Sequence, residues 1–561
     1  MFALAPLAGT AARATTAVVL ALAATSLIAN PRGDATPAMA PPAPLFEDIG
    51  RHHHPITTPS APAQRYFDQG MMLLFNFNHK EAIRSFRAAA TLDPASAMAH
   101  WGEAFAYGPH INGPMTDEAV PLAWAALEKA QRLKSKANPR ERAYIDALAT
   151  RYAAPGTKHD RAMLDCHFAA AMRRVAEAYP DDHDAVALWV DAWMNTTPWD
   201  YWQADKRTPK PETAEAIRAI ENVLARVPDH PAANHLHIHL VEAGPAPERA
   251  LPSAGKLRRY APAAGHLVHM PSHIYIRVGQ YQDAVEANEE AAKADRSYIA
   301  ACQVQGFYPG VYYPHNMHFL WYALMFQGRA ERSLEAAKQV ASYAVSPLCG
   351  TNVMEKPRLT WLPLVTHMRF GQWSQVLAAP EPAIELPLDR AIWRFARARA
   401  FAAKGDAMAA ERETKQFDEL AASDAVKAVD SPIFPSNQVL SVAHHLAHAG
   451  VAGARGDNEK MITKLRTAVE AEHALPYMEP AFWIYPTRQT LGAALLKLGR
   501  AAEAEAEFRA DLGEFPRNGW SLFGLAESLR KQGKADAAAM VEREFAAAWD
   551  KSDVSLKLEW L

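Results

Sequence analysis

Near its C-terminal end the chain repeats itself every 34 residues: Leu491, Gly499 and Ala504 return as Leu525, Gly533 and Ala538, with Phe508 and Pro516 between the two sets. A period of this length belongs to stacked supersecondary units, each unable to bury its apolar face alone. Small residues let two antiparallel helices approach closely, a large aromatic fills the gap, and proline ends the second helix. The same grammar recurs around Gly70, Asn78, Ala82, Phe86 and Pro94. It returns with Val278, Gly279, Tyr281, Ala284 and Ala291, and again from Gln327, Gly328 and Arg329 into Leu334 and Ala337. Gly405 and Gly456 mark further helix-to-helix turns, and no strand-like alternation competes. The expected fold is all-α, an α-solenoid of helical hairpins. Longer connections are expected at 345–363, 378–388 and 431–436, as breaks between subdomains or loops over a groove.

The N-terminus reads differently. Arg13 precedes an uncharged apolar run, Ala14–Ala24, and a Pro/Ala stretch follows over Ala35–Pro42. A charged start, a short apolar core and a small-residue exit describe a secretory signal, so export to a periplasmic or extracellular space is expected. The run falls short of the ~20 residues a membrane span needs, and membrane contact is expected only if the signal stays uncleaved. The expected division is a signal and processing region at 1–40, a Pro/His-rich linker at 41–63, a hairpin region at 64–345, an irregular helical middle at 346–435 and C-terminal repeats at 436–561. Within the linker, Arg51, His52, His53 and His54 read as a solvated tail. A formal charge of -3 with no Lys/Arg-rich stripe argues against nucleic acid as a partner. Three cysteines (Cys166, Cys302 and Cys349) exclude a disulfide-built fold.

Histidine is unevenly spread. Nine of the 23 (His230, His235, His237, His239, His266, His269, His273, His315 and His318) fall within 89 of 561 residues, where an even spread would place about 4. Imidazole is the commonest biological metal ligand and a proton-transfer group near neutral pH. On a helix His235, His239 and Glu242 share one face, whereas His237 points elsewhere. Pro271 and Pro314 are each placed to open a helix, the first carrying His273 and the second His315 and His318. Successive hairpins of a solenoid are neighbours, so the three stretches can converge. The ligands expected from this pattern are His235, His239, His269 and His273, holding Fe, Cu or Zn. Glu242 is expected as a ligand or general base, and His315 or His318 as a proton shuttle. His266, Trp199, Trp202, Trp483, Tyr485 and Arg488 are expected to contact a small molecule. His444, His445 and His448 are read as helix packing.

On these residues the chain resembles tetratricopeptide-repeat proteins. More narrowly, it is similar to a bacterial group carrying H-x-x-x-H-x-x-[DE] (His235, His239, Glu242), H-x-x-H-M-P-S-H (His266 to His273) and W-x-Y-P-x-R (Trp483 to Arg488). The resemblance spans most of Ala63–Val554 and implies the fold. Two functional readings follow. One is an exported protein with a metal-binding pocket that oxidises or hydrolyses a small molecule. The other is a non-catalytic scaffold gripping a peptide or partner protein in its concave groove. Imidazole nitrogens spread beyond about 8 Å would favour the scaffold, since first-shell metal–nitrogen distances are near 2 Å.

Overall fold

Phe86 is fully buried because a glycine faces it on either side. A Cβ at Gly70 or at Gly102 would sit 2.5 Å from its ring. Phe508 occupies the same position between Gly492 and Gly524, where a Cβ would lie 2.7 and 2.2 Å away. The spacing from glycine to phenylalanine to glycine is identical at both ends of the chain, so one packing rule joins each helix to the next hairpin.

The computed structural model describes residues 43–203, 205–302, 307–343, 359–431 and 434–561. The expected signal, Cys349 and most of the connection expected at 345–363 lie outside them. Antiparallel pairs succeed one another along the chain: Ala61–Phe75 with His79–Leu92, Ala97–Ala106 with Ala119–Leu133, Arg161–Ala178 with His183–Met194, and Pro211–Arg226 with Pro231–Val241. The succession ends with Thr487–Lys497 against Ala501–Glu514, and Gly519–Lys531 against Ala535–Ala548. Among the described residues the only β-type pairing is three isolated bridges. The fold is the all-α solenoid of TPR-like hairpins that the repeat demands. No described helix is long and apolar enough to cross a membrane.

The stack turns back on itself. Tyr281 Oη donates to Pro516 O (3.1 Å), and Trp520 Nε1 donates to Met325 O (2.9 Å). Gly279 makes this approach possible: its φ is +76° and a Cβ would lie 2.3 Å from Pro516 O. C-terminal hairpins are thereby packed against Tyr281–Cys302 and Tyr313–Phe326, helices of the histidine-rich part of the chain.

The expected solvated tail is instead docked. His54 is 1% exposed, with its ring against Phe67 and Tyr144. His52 Nε2 and His54 Nδ1 lie 3.0 and 2.7 Å from Asp184 Oδ2, while His230 Nε2 lies 3.3 Å from Oδ1. Arg51 and His53 are exposed, His53 pairing with Asp68. Burial alone would lower the His52 pKa, but the Asp184 charge and hydrogen bond outweigh it and raise the value above 6.5. Burial likewise opposes the Asp184 carboxylate, yet His52, His230 and His54 hold its pKa well below 3.8. The tract was misread because nothing in R-H-H-H announces the carboxylate that receives it, some 130 residues away.

Two outcomes follow. Phe508→Ala should lower stability by about 3–5 kcal/mol, read from urea denaturation. The His52–Asp184 contribution is complete between pH 3.8 and 6.5, is lost as pH rises through the raised His52 value, and is lost in acid as Asp184 protonates. Hydrogen exchange over residues 51–58, corrected for intrinsic base catalysis, should therefore quicken on the alkaline side in the wild type, and Asp184→Asn should abolish that step.

Candidate metal centre

His230 caps the helix Pro231–Val241, its Nδ1 accepting from Ala233 N at 3.2 Å, and Pro231 occupies the first turn. Every residue of this helix is buried. At 3.6 residues per turn His235 and His239 stack on one face, with Glu242 just beyond. His235 Nε2 and His239 Nε2 face each other at 3.0 Å. The remote nitrogens are tied to oxygens: His235 Nδ1 donates to Phe75 O (2.7 Å) and His239 Nδ1 to Glu242 Oε1 (3.1 Å). His237 turns away to Ser253 and Glu221, as its phase on the helix requires.

The same construction recurs one hairpin later. The short helices Gly265–His269 and Pro271–Arg277 carry His269 and His273, whose Nε2 atoms also face each other at 3.0 Å. His269 Nδ1 donates to Asn288 Oδ1 (2.7 Å), and the Asn288 amide is oriented by its own bond to Ala284 O. His273 Nδ1 lies 2.7 Å from Glu242 Oε2 and 3.3 Å from Glu479 Oε2. Gly265 lets the first short helix in, since a Cβ there would fall 1.9 Å from Asp295 Oδ1.

A third imidazole completes each pair. His266 joins His235 and His239, and His315, from Tyr313–Phe326, joins His269 and His273; within each trio one ring nitrogen per residue lies within 4.8 Å of the others. A π-helical turn, Tyr308–Tyr312, leads into the helix of His315 and sets Tyr312 on the His266 ring at 4.5 Å; such turns often mark functional sites. Phe77 lies 4.6 Å from the His235 ring and 5.4 Å from that of His266. Trp199 meets His239 edge-on at 5.1 Å. Both aromatics hold left-handed backbones, φ 52° and 66°, a conformation costly for a bulky residue.

Burial dominates the electrostatics. Desolvation, aided by the neighbouring rings, pushes the pKa values of His235, His266 and His269 well below 6.5 and that of His239 below it. His273 is the exception: burial opposes its charge, but Glu242 and Glu479 raise it to about 9. Burial would raise Glu242, yet His273 and His239 bring it down to about 2, while burial carries Glu479 up to about 7. The chemistry of the first pair is thus constrained. Phe75 O can only accept, so His235 keeps its proton on Nδ1; an ionised Glu242 demands the same of His239. Two Nε2 lone pairs then meet at 3.0 Å, a contact that a shared proton or a bound cation turns from repulsion into attraction. Beside them, both nitrogens of His266, 1% exposed, lack a hydrogen-bond partner.

The expected residues sort as follows. His235, His239, His266, His269, His273, His315 and Glu242 come together, with His266 beside ring nitrogens rather than lining a substrate cleft. Glu242 points both oxygens at Nδ1 atoms, the position of an orienting carboxylate behind a ligand. His318 stacks on Trp321 at 5.3 Å, outside both trios. Trp199 touches the site; Trp202 backs its helix, donating to Leu240 O. Trp483 packs on Phe395, Tyr485 under Arg369, and Arg488 pairs with Glu507, so the first two join the middle helices, the third the C-terminal hairpins. Sequence reasoning passed over Phe77 and Asn288, neither of which has a periodic cue, and grouped Glu479 with Trp483, Tyr485 and Arg488 rather than with the histidines. Between the helices Ala407–Ala421 and Ser436–Ala454, His444 and His448 share Asp418 at 2.7 and 2.9 Å, a partly exposed group.

No family model matches the sequence, and no curated protein is similar to it. Among solved structures the chain is similar to a chain of the APC/C hetero-tetramer Cut9–Hcn1, at 11% identity over 87% of this chain and 80% of that one, with a TM-score of 0.36. It is similar to yeast Tom70 at 12% identity, over 89% and 93% of the two chains, with a TM-score of 0.26. At these scores the likeness adds nothing to what the hairpins themselves display.

Glu242→Ala should destabilise the protein by about 3–5 kcal/mol, because it leaves the His239 Nδ1–H without its partner and the buried His273 charge with Glu479 alone. Urea denaturation in chelator measures this, and Glu242→Gln should cost less.

Proposed function

We propose that this chain is an exported helical-repeat scaffold that holds a transition-metal centre among its buried histidines. The supporting observation is the His235–His239 pair, whose Nε2 atoms face each other at 3.0 Å with a hydrogen-bond acceptor behind each Nδ1. His266, buried and unpartnered, supplies a third nitrogen. An all-imidazole set suits Cu or Zn, and also Fe. When bound, such an ion supplies Lewis acidity towards water or a redox couple, the basis for hydrolysis or oxidation of a small molecule. The protein's own part is to orient the rings through Phe75 O and Glu242 and to exclude water with Phe77 and Trp199. The H-x-x-H-M-P-S-H segment holds three of the converging rings, so the proposal extends to the bacterial group this chain resembles.

A second reading, a scaffold for a peptide or partner protein, is favoured by a separate feature. A cavity of about 450 Å³ is lined by Asn76, Asn78, Arg258, Lys293, Tyr298 and Tyr308, side chains suited to an extended backbone. Elemental analysis of protein purified without a histidine tag separates the two readings. Stoichiometric Cu, Zn or Fe, lost on replacing His239 by Ala, is the expected result. A chain that carries no metal and binds none at micromolar concentration overturns the proposal. A peptide retained by that chain and released by Lys293→Ala would establish the scaffold.

A further inference from the structure

The two trios are near copies of one another. Ring centroids in the first are separated by 4.8, 5.0 and 6.4 Å (His235–His239, His235–His266, His239–His266). In the second they are separated by 4.9, 4.9 and 5.8 Å (His269–His273, His269–His315, His273–His315). Each consists of two histidines four residues apart, with Nε2 atoms 3.0 Å from each other, plus a third from a helix further along the chain. Ligands of a tetrahedral ion with bonds of about 2.0–2.1 Å lie about 3.3 Å apart, and both pairs sit close to that separation.

The trios also touch. His266 and His269 belong to one short helix and stack at 5.9 Å, and His239 and His273 approach to 5.8 Å across the gap. Glu242 spans them, one oxygen at His239 Nδ1 and the other at His273 Nδ1. Asn288 behind His269 and Phe75 O behind His235 complete an outer layer of oxygen acceptors that leaves every Nε2 of the two pairs aimed inward.

Building on the metal centre proposed above, we propose that it is dinuclear: one imidazole-binding ion (copper or zinc) held by His235, His239 and His266, and a second by His269, His273 and His315, with Glu242 as the shared outer carboxylate. His273 uses Nε2 for the ion while its Nδ1 stays in the Glu242–Glu479 carboxylate cage. A paired site of this kind takes a small bridging ligand between its ions, which a single trio cannot do.

The experiment loads full-length, chelator-stripped protein with Cu(II), counts bound ions by mass spectrometry, and records the electron paramagnetic resonance spectrum. Two ions per chain are expected, with a half-field resonance or a signal well below two spins. His266→Gln and His315→Gln should each bind one ion and regain a full-intensity uncoupled signal. Glu242→Gln should weaken both ions together, by at least tenfold each. Circular dichroism and a thermal midpoint close to that of the parent identify variants that remain folded; if His315→Gln fails this control, His315→Asn and the parent's own stoichiometry decide. One ion per chain, or two ions with full uncoupled intensity, overturns the pairing while leaving a mononuclear centre. Retention of both ions in folded His315→Gln overturns the second trio and points to Glu242, His273 and Glu479. No bound ion at all overturns the metal centre itself. Metal content of the untagged protein as isolated distinguishes copper from zinc.

Discussion

Everything in this structure depends on how closely neighbouring helices are allowed to approach. Where glycine replaces a side chain opposite Phe86 or Phe508, the aromatic ring enters the next hairpin and fixes its spacing. Helices held at that distance carry their inward faces to consistent positions over many hairpins, and residues distant in the chain meet as a result. The histidine-rich segment uses the same device at Gly265, where the missing Cβ brings a short helix against Asp295 and sets His266 and His269 among the other rings.

Burying so many imidazoles together has an electrostatic cost, and the surrounding groups show how it is met. Desolvation keeps most of the rings neutral, since an imidazolium in this interior would face both a low dielectric and its neighbours' charge. Only His273 departs, because two carboxylates flank it. Oxygen acceptors placed behind the rings then decide which nitrogen carries each proton. The lone pairs are directed by groups outside the cluster. A random aggregation of histidines would not show that division.

The architecture was legible in the sequence because its signals are local and repeated: a glycine, an aromatic and a proline at set intervals describe a hairpin without reference to the rest of the chain. Part of the site was legible for the same reason. His235, His239 and Glu242 share a helical face, and Pro271 and Pro314 announce helix starts that the structure contains. The rest depends on tertiary closure. Glu479 arrives from an irregular stretch more than two hundred residues away, brought by the contact of Tyr281 with Pro516. The aromatic and basic residues beside it in sequence, Trp483, Tyr485 and Arg488, share its segment but turn to Phe395, Arg369 and Glu507. His318 differs from His315 by less than a helical turn, yet it lands on Trp321. The docking of His52 and His54 on Asp184 was hidden for a related reason: a polar tract reads as solvent-facing until its acceptor is known.

The five-residue helix Gly265–His269 has one more implication. It contributes a ring to each trio, its Leu267 N donates to Asn76 Oδ1 at 3.0 Å, and it is wedged against Asp295 by an absent side chain. A displacement of this one segment moves His266 and His269 together. The two halves of the cluster therefore share a single mechanical lever, and neither can be retuned by evolution or by design without disturbing its twin.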